Sequence, residues 1–154
     1  MAEALIGGLL AAGACEPAFI CATDPVAARR DALKSRFGIR VGDENAKAVR
    51  EADLVVLAVK PQAMPAVLSD AGQACAGKFI VSIAAGVTTA WIRERIVTPR
   101  GIVRAMPNTP ALVREGVTAL TCQPDLQSDD LAAVRTLFEA VGSVVSVEER
   151  LMDA

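Results

Sequence analysis

The chain has 154 residues, of which 53% are hydrophobic and only 3% aromatic, and its formal net charge is −2. That length suits one domain with an aliphatic core, and the absence of a basic block argues against nucleic-acid binding. No apolar run reaches the length of a membrane span, and the lack of histidine removes Ser-His-Asp triads, Cys-His pairs and histidine-based zinc sites, so no metal site is expected.

The elements follow in chain order. Residues 2–12 read as a small-residue helix that Gly13 stops. Met1 leads straight into it with no basic region before it, so no secretory signal is expected. Residues 18–22 predict a short buried strand. Asp24-Pro25 opens a helix, with Asp24 as its cap and Pro25 in its first turn; Val26, Leu33 and Phe37 form its apolar stripe. Residues 39–41 predict a second strand, and Asp43 begins a helical piece. Residues 54–59 are the clearest strand, apolar on both faces and closed by Lys60-Pro61. A helix runs on to about Cys75. Residues 79–84 predict the next strand, ending on Ala85-Gly86, and Thr88 caps a helix through Trp91, Ile92 and Ile96. Residues 102–105 and 117–122 read as strands on either side of a proline-containing loop. Ser128 starts a helix carrying Leu131, Val134, Phe138 and Val141, residues 144–147 form a last strand, and Glu148 opens a final helix.

Strands alternate with helices throughout, which predicts a parallel doubly wound α/β fold with right-handed crossovers. Ligands in such folds sit beyond the carboxyl ends of the strands. Asp24-Pro25, Lys60-Pro61-Gln62, Ala84-Ala85-Gly86 and the loop from Arg104 to Gly116 all fall at such ends. That loop carries Pro107 and Pro110, and each proline fixes φ and removes a backbone donor, which argues against regular helix or central strand there. It is either a rigid structural turn or a ligand-holding loop. Cys15, Cys21, Cys75 and Cys122 form no C-x-x-C and read as reduced, buried thiols of a cytoplasmic protein. A dinucleotide fold normally begins with a strand and a G-x-G-x-x-G/A turn before its first helix. No such turn is present here.

Four runs carry a resemblance: Met1 to Leu10; Ala58-Val59-Lys60-Pro61-Gln62; Ser82-Ile83-Ala84-Ala85-Gly86-Val87-Thr88; and Arg104-Ala105-Met106-Pro107-Asn108-Thr109-Pro110-Ala111-Leu112 onward to Gly116. In these runs the chain resembles the amino-terminal dinucleotide-binding domain of pyrroline-5-carboxylate reductase. The resemblance implies a Rossmann-like doubly wound sheet lacking its first strand and glycine-rich turn. Residues 1–147 would be an incomplete dinucleotide-binding domain, and residues 148–154 the start of a helix leading to an absent helical dimerisation domain. The implied reaction is reduction of 1-pyrroline-5-carboxylate to L-proline with NADPH or NADH, in full-length proteins that assemble as homo-oligomers through the absent domain. The isolated chain is expected to be inactive. The alternatives are a catalytically inactive α/β interaction module or another NAD(P)-dependent dehydrogenase.

Carried over residue by residue, the resemblance puts Met1 and Ala2 near the pyrophosphate. Asp24 would meet the adenosine ribose, or else serve only as a helix cap, and Asn45 would meet the adenine end. Ala58, Val59, Lys60 and Pro61 would run along the cofactor, and Ala84, Ala85 and Gly86 would lie near the nicotinamide ribose. Met106, Pro107 and Thr109 would shape the substrate side, with Asn108 as a side-chain donor toward the cofactor and Glu149 close to the substrate. No catalytic acid is assigned.

Overall fold

A computed structural model describes residues 1–121 and 128–153. Cys122 therefore lies outside the described residues. Among the described residues, seven strands form two sheets. In the smaller, β1 (Cys21–Thr23) pairs in parallel with β2 (Arg40–Gly42). In the larger, β3 (Leu54–Leu57), β4 (Phe79–Ser82), β5 (Gly101–Pro107), β6 (Gly116–Thr121) and β7 (Gly142–Val147) lie side by side in chain order. The helices are α1 (Ala2–Ala11), α2 (Ala27–Phe37), α3 (Asn45–Glu51), α4 (Met64–Ala71), α5 (Thr89–Arg93) and α6 (Ser128–Glu139).

The larger sheet is covered on both faces, which is why β4 reads as a continuous apolar run and is buried along its whole length. Its alternating side chains divide into two cores. On one face Leu57, Ile80 and Ile102 pack with Val49 of α3, Met64 and Leu68 of α4 and Ile92 of α5, with Val55 against them. On the other, Phe79, Val81 and Val103 pack with Leu5 of α1 and Val134, Leu137 and Phe138 of α6, with Leu54 and Val56 against them. A third cluster joins Ile6 of α1 to Leu33 and Ile39, with Ala22 and Val41 of the smaller sheet against it. Helix α1 thus touches both sheets, and burial of each such aliphatic side chain contributes about 1.5–3 kcal/mol.

The sheet departs from the all-parallel expectation at one place. β5 and β6 run antiparallel, with Met106 opposite Ala119 and Pro107 opposite Thr118. The link between them, residues 108–115, has only a 3-10 turn at Thr109–Val113, too short for the helical crossover that a parallel pair needs. The proline-containing segment is therefore partly strand. Pro107 is tolerated because β4 pairs with β5 only as far as Arg104, so beyond that point β5 is flanked on one side alone.

Other differences are local. The expected strand at 18–22 begins only at Cys21, because Pro17–Phe19 forms a 3-10 turn. Pro25 precedes α2 and Val26 is its N-cap, so neither Asp24 nor Pro25 holds the expected helical position. The final turn after Glu148 is 3-10, over Glu149–Leu151. Gly13 does stop α1 at a positive φ, and the Thr88 hydroxyl does cap α5 by accepting from the Trp91 N–H at 3.2 Å. Cys75 is buried, whereas Cys15 and Cys21 are half-buried free thiols. Among the described residues, no helix is long and apolar enough to cross a membrane.

Candidate functional site at the strand ends

The carboxyl ends of β1 to β5 bring most of the nominated residues to one rim. At the end of β1, the Asp24 Oδ1 accepts from the Val26 N–H at 2.8 Å, which tightens the turn into α2 without capping it. Its Oδ2 lies 3.6 Å from Arg29 Nε, and Arg30 donates to the Asp24 carbonyl at 2.8 Å. The Asp24 carboxylate is thus beside Arg29 alone, while Arg30 holds its backbone carbonyl and pairs with Asp43 at 3.5 Å. Asn45, at the start of α3, accepts from the Thr23 hydroxyl at 2.7 Å and donates to Asp70 at 3.1 Å. That chain of bonds fixes its side chain beside the end of β1.

β3 ends at Leu57, and the chain continues through the half-buried Ala58 and Val59 to an exposed Lys60. Lys60 is extended, and its carbonyl accepts from the Ala63 N–H in the turn that begins at Pro61. After β4, the buried Ala84 leads to the exposed Ala85 and Gly86. Gly86 has φ +70°, with no atom within 4 Å of where a Cβ would stand. A ligand can therefore approach the backbone closely there. After β5, the Asn108 carbonyl oxygen Oδ1 accepts from the Val117 N–H at 2.9 Å, closing the loop to β6 and leaving its amide NH2 to donate. Met106 and Pro107 are half-buried, and Thr109 is exposed. At the start of α1, Met1 and Ala2 are exposed and no side chain caps the helix, so the amides of its first turn face outward for an anion.

Glu149 comes to the same rim by another route. Its carboxylate accepts from both the N–H and the hydroxyl of Thr89, each at 2.7 Å, three residues beyond Gly86. The terminal turn is held at a second point. Arg104 of β5 is 1% exposed and makes a two-pronged ion pair with Asp153, whose side chain is 47% exposed. Arg104 beside it, with a further contribution from the Gly86 backbone, holds the Asp153 carboxyl below its ordinary value. The Thr121 hydroxyl binds the Arg104 backbone, and the buried Arg104 Nε has no partner among the described residues. Sequence reading passed over Arg104, Asp153 and Thr89. The signal available was an arginine inside the apolar strand run Gly101-Ile102-Val103-Arg104-Ala105, since a cation there demands a partner.

An α/β sheet with small residues and an open glycine turn on its carboxyl rim defines a Rossmann-like dinucleotide-binding domain. The family of NADP oxidoreductases described as coenzyme F420-dependent matches residues 1–86, more than half of the chain, and the chain belongs to that family. The whole chain is 39% identical to a pyrroline-5-carboxylate reductase from Synechocystis, covering 57% of that protein. A structure of a pyrroline-5-carboxylate reductase from Coxiella burnetii superimposes with a TM-score of 0.89 at 33% identity, over 96% of this chain and 55% of that one. A Plasmodium falciparum pyrroline carboxylate reductase with NADP bound superimposes with a TM-score of 0.85 at 26% identity, over 98% of this chain and 55% of that one. The chain therefore spans little more than half the length of these relatives.

Proposed function

We propose that this chain is the dinucleotide-binding part of an enzyme that reduces 1-pyrroline-5-carboxylate to L-proline with NADPH or NADH. The observation that carries the reading is 39% identity to such a reductase over the full chain. The NADP-bound Plasmodium relative supports the cofactor class. The bound cofactor would supply the hydride, and the protein would supply position and electrostatics.

In this reading the first turn of α1, at Met1 and Ala2, faces the pyrophosphate. Asp24 accepts from the adenosine ribose and Asn45 lies toward the adenine. Arg29 and Arg30 offset the charge of Asp24, so both the 2′-hydroxyl and the 2′-phosphate forms of the cofactor are tolerated. Ala58, Val59, Lys60 and Pro61 run along the dinucleotide, and Ala84, Ala85 and Gly86 admit the nicotinamide ribose. Asn108 donates toward the nicotinamide, while Met106, Pro107, Thr109 and Glu149 shape the imine side. The acceptor is a small imine whose nitrogen is already cationic when protonated, which lessens the need for a strong protein acid and suits a chain without histidine. Residues 148–153 lead toward a helical domain that would form the homo-oligomer and close the pocket. The cysteine usage suits a cytoplasmic enzyme.

The test is growth of a proline-requiring strain that lacks its own reductase. A chimera in which this chain replaces the matching part of the Synechocystis reductase should restore growth without proline, whereas the chain alone should not. A chimera that is folded yet fails to restore growth contradicts the reading.

A further inference from the structure

We propose that Thr89 is a positioning residue for the cofactor: it ties the 84–89 turn of the rim to Glu149, and so sets where Gly86 meets the nicotinamide ribose. The role rests on the cofactor placement proposed for the reductase. Glu149 acts on the rim through Thr89, and neither side chain needs to touch the reacting atoms.

The exposed part of the turn is weakly closed by its own bonds. Ala84 and Val87 are buried in the core beneath the rim, and Ala85 and Gly86 stand exposed between them. The Val87 N–H meets the Ala84 carbonyl only at 3.5 Å, beyond the usual range for such a bond. Gly86, at φ +70°, has no side chain to pack. The Ala85-Gly86 crest therefore takes its position from what holds the two ends. On the strand side, the Ala84 N–H donates to the Ser82 hydroxyl at 3.3 Å. On the helix side stands Thr89, 4% exposed, whose N–H and hydroxyl both donate to the Glu149 carboxylate at 2.7 Å.

The two bonds to Glu149 are the shorter ones at this turn, and a charged acceptor makes them stronger than neutral hydrogen bonds. Each uses a different carboxylate oxygen, so together they fix the orientation of the tie as well as its length. The 149–153 turn bears on the rim at a second place. Asp153 pairs with the buried Arg104 of β5, and the Gly86 backbone also helps to hold the Asp153 carboxyl below its ordinary value. Residues 149–153 are thus fastened to β5 and meet the rim turn at both Gly86 and Thr89. The hydroxyl is what the position requires. Thr89→Val keeps the shape and the N–H but loses the second bond, whereas Thr89→Ser keeps both. Loss of the tie should be felt at Gly86 first, because the bond that closes the crest is already long.

The test has two arms. In the intact chain, Thr89→Val should speed amide exchange at Gly86 and Val87 about tenfold, while Ile80 of β4, which reports global stability, keeps its rate. Thr89→Ser should keep the parent rates. In the purified chimera with the Synechocystis reductase, Thr89→Val should raise the NADPH Kd, read by fluorescence, and the KM for NADPH about tenfold. The KM for the imine should change by less than about twofold, and Thr89→Ser should keep the parent values. Unchanged exchange at Gly86 and Val87 overturns the proposal. So does an unchanged NADPH Kd, or a rise in the KM for the imine alone, which would put Glu149 against the substrate. A parent chimera that binds no NADPH contradicts the reductase reading instead, and the exchange arm then decides whether Thr89 holds the turn.

Discussion

At the scale of single residues, the arginine of β5 shows how charge locks the end of the chain. Arg104 is fully buried, and Asp153 supplies its counter-charge from a half-exposed position. Asp153→Asn leaves the guanidinium without that charge, so Tm at pH 7 should fall. The sign with pH is definite. The Asp153 carboxyl is held below its ordinary value of 3.8, so its contribution is full above that pH and is lost as pH falls through the lowered value. The Tm difference between the parent chain and Asp153→Asn should be largest near neutrality and should close in acid. A difference that persists unchanged into acid would show that the carboxylate charge is not what matters. Asp24 illustrates the limit of reading residues one at a time. Its position at a strand end and the nearness of Arg29 and Arg30 in sequence are legible, but which atom of Asp24 each arginine meets depends on how α2 winds.

At the scale of elements, β4, α6 and the strand from Leu54 were legible because their apolar patterns agree with burial on the faces they present. The ends were less so. Pro107 argued for a loop, yet it sits in β5, because what a proline loses depends on whether a neighbour is there to accept its missing bond. No local pattern carries that information, since it depends on where β4 stops. The start of β7 makes a sharper case. Gly142 has φ +148°, and a Cβ there would stand 1.9 Å from the Gly116 carbonyl oxygen. Gly142→Ala should therefore cost roughly 3 kcal/mol through strain and forced separation of β6 from β7. Urea unfolding would measure it as a lowered midpoint. A loss of only a few tenths of a kcal/mol would mean that the two strands separate more easily than their packing suggests.

At the scale of the whole molecule, the doubly wound order was legible from the alternation of strands and helices. Among the described residues β1 and β2 form one sheet and β3 to β7 another, with no pairing between β1 and β3. The division lies where a dinucleotide would cross the carboxyl rim. The isolated chain should therefore bind NADPH weakly, and fluorescence titration would reveal this as no saturable change at micromolar cofactor. Tight binding by the isolated chain would show that the divided sheet already holds the rim in its competent form. The site itself was legible only in part. The strand-end residues announce themselves by Pro, Gly and small side chains, whereas the Thr89–Glu149 and Arg104–Asp153 links join segments 60 and 49 residues apart.

The role proposed for this chain is to position a nicotinamide cofactor for reduction of a cyclic imine. It is tested most directly by purifying the chimera with the Synechocystis reductase and following NADPH and proline together. The account predicts NADPH oxidation that depends on 1-pyrroline-5-carboxylate and forms L-proline in equal amount. A folded chimera that consumes no NADPH with that substrate, or consumes it without forming proline, would contradict it.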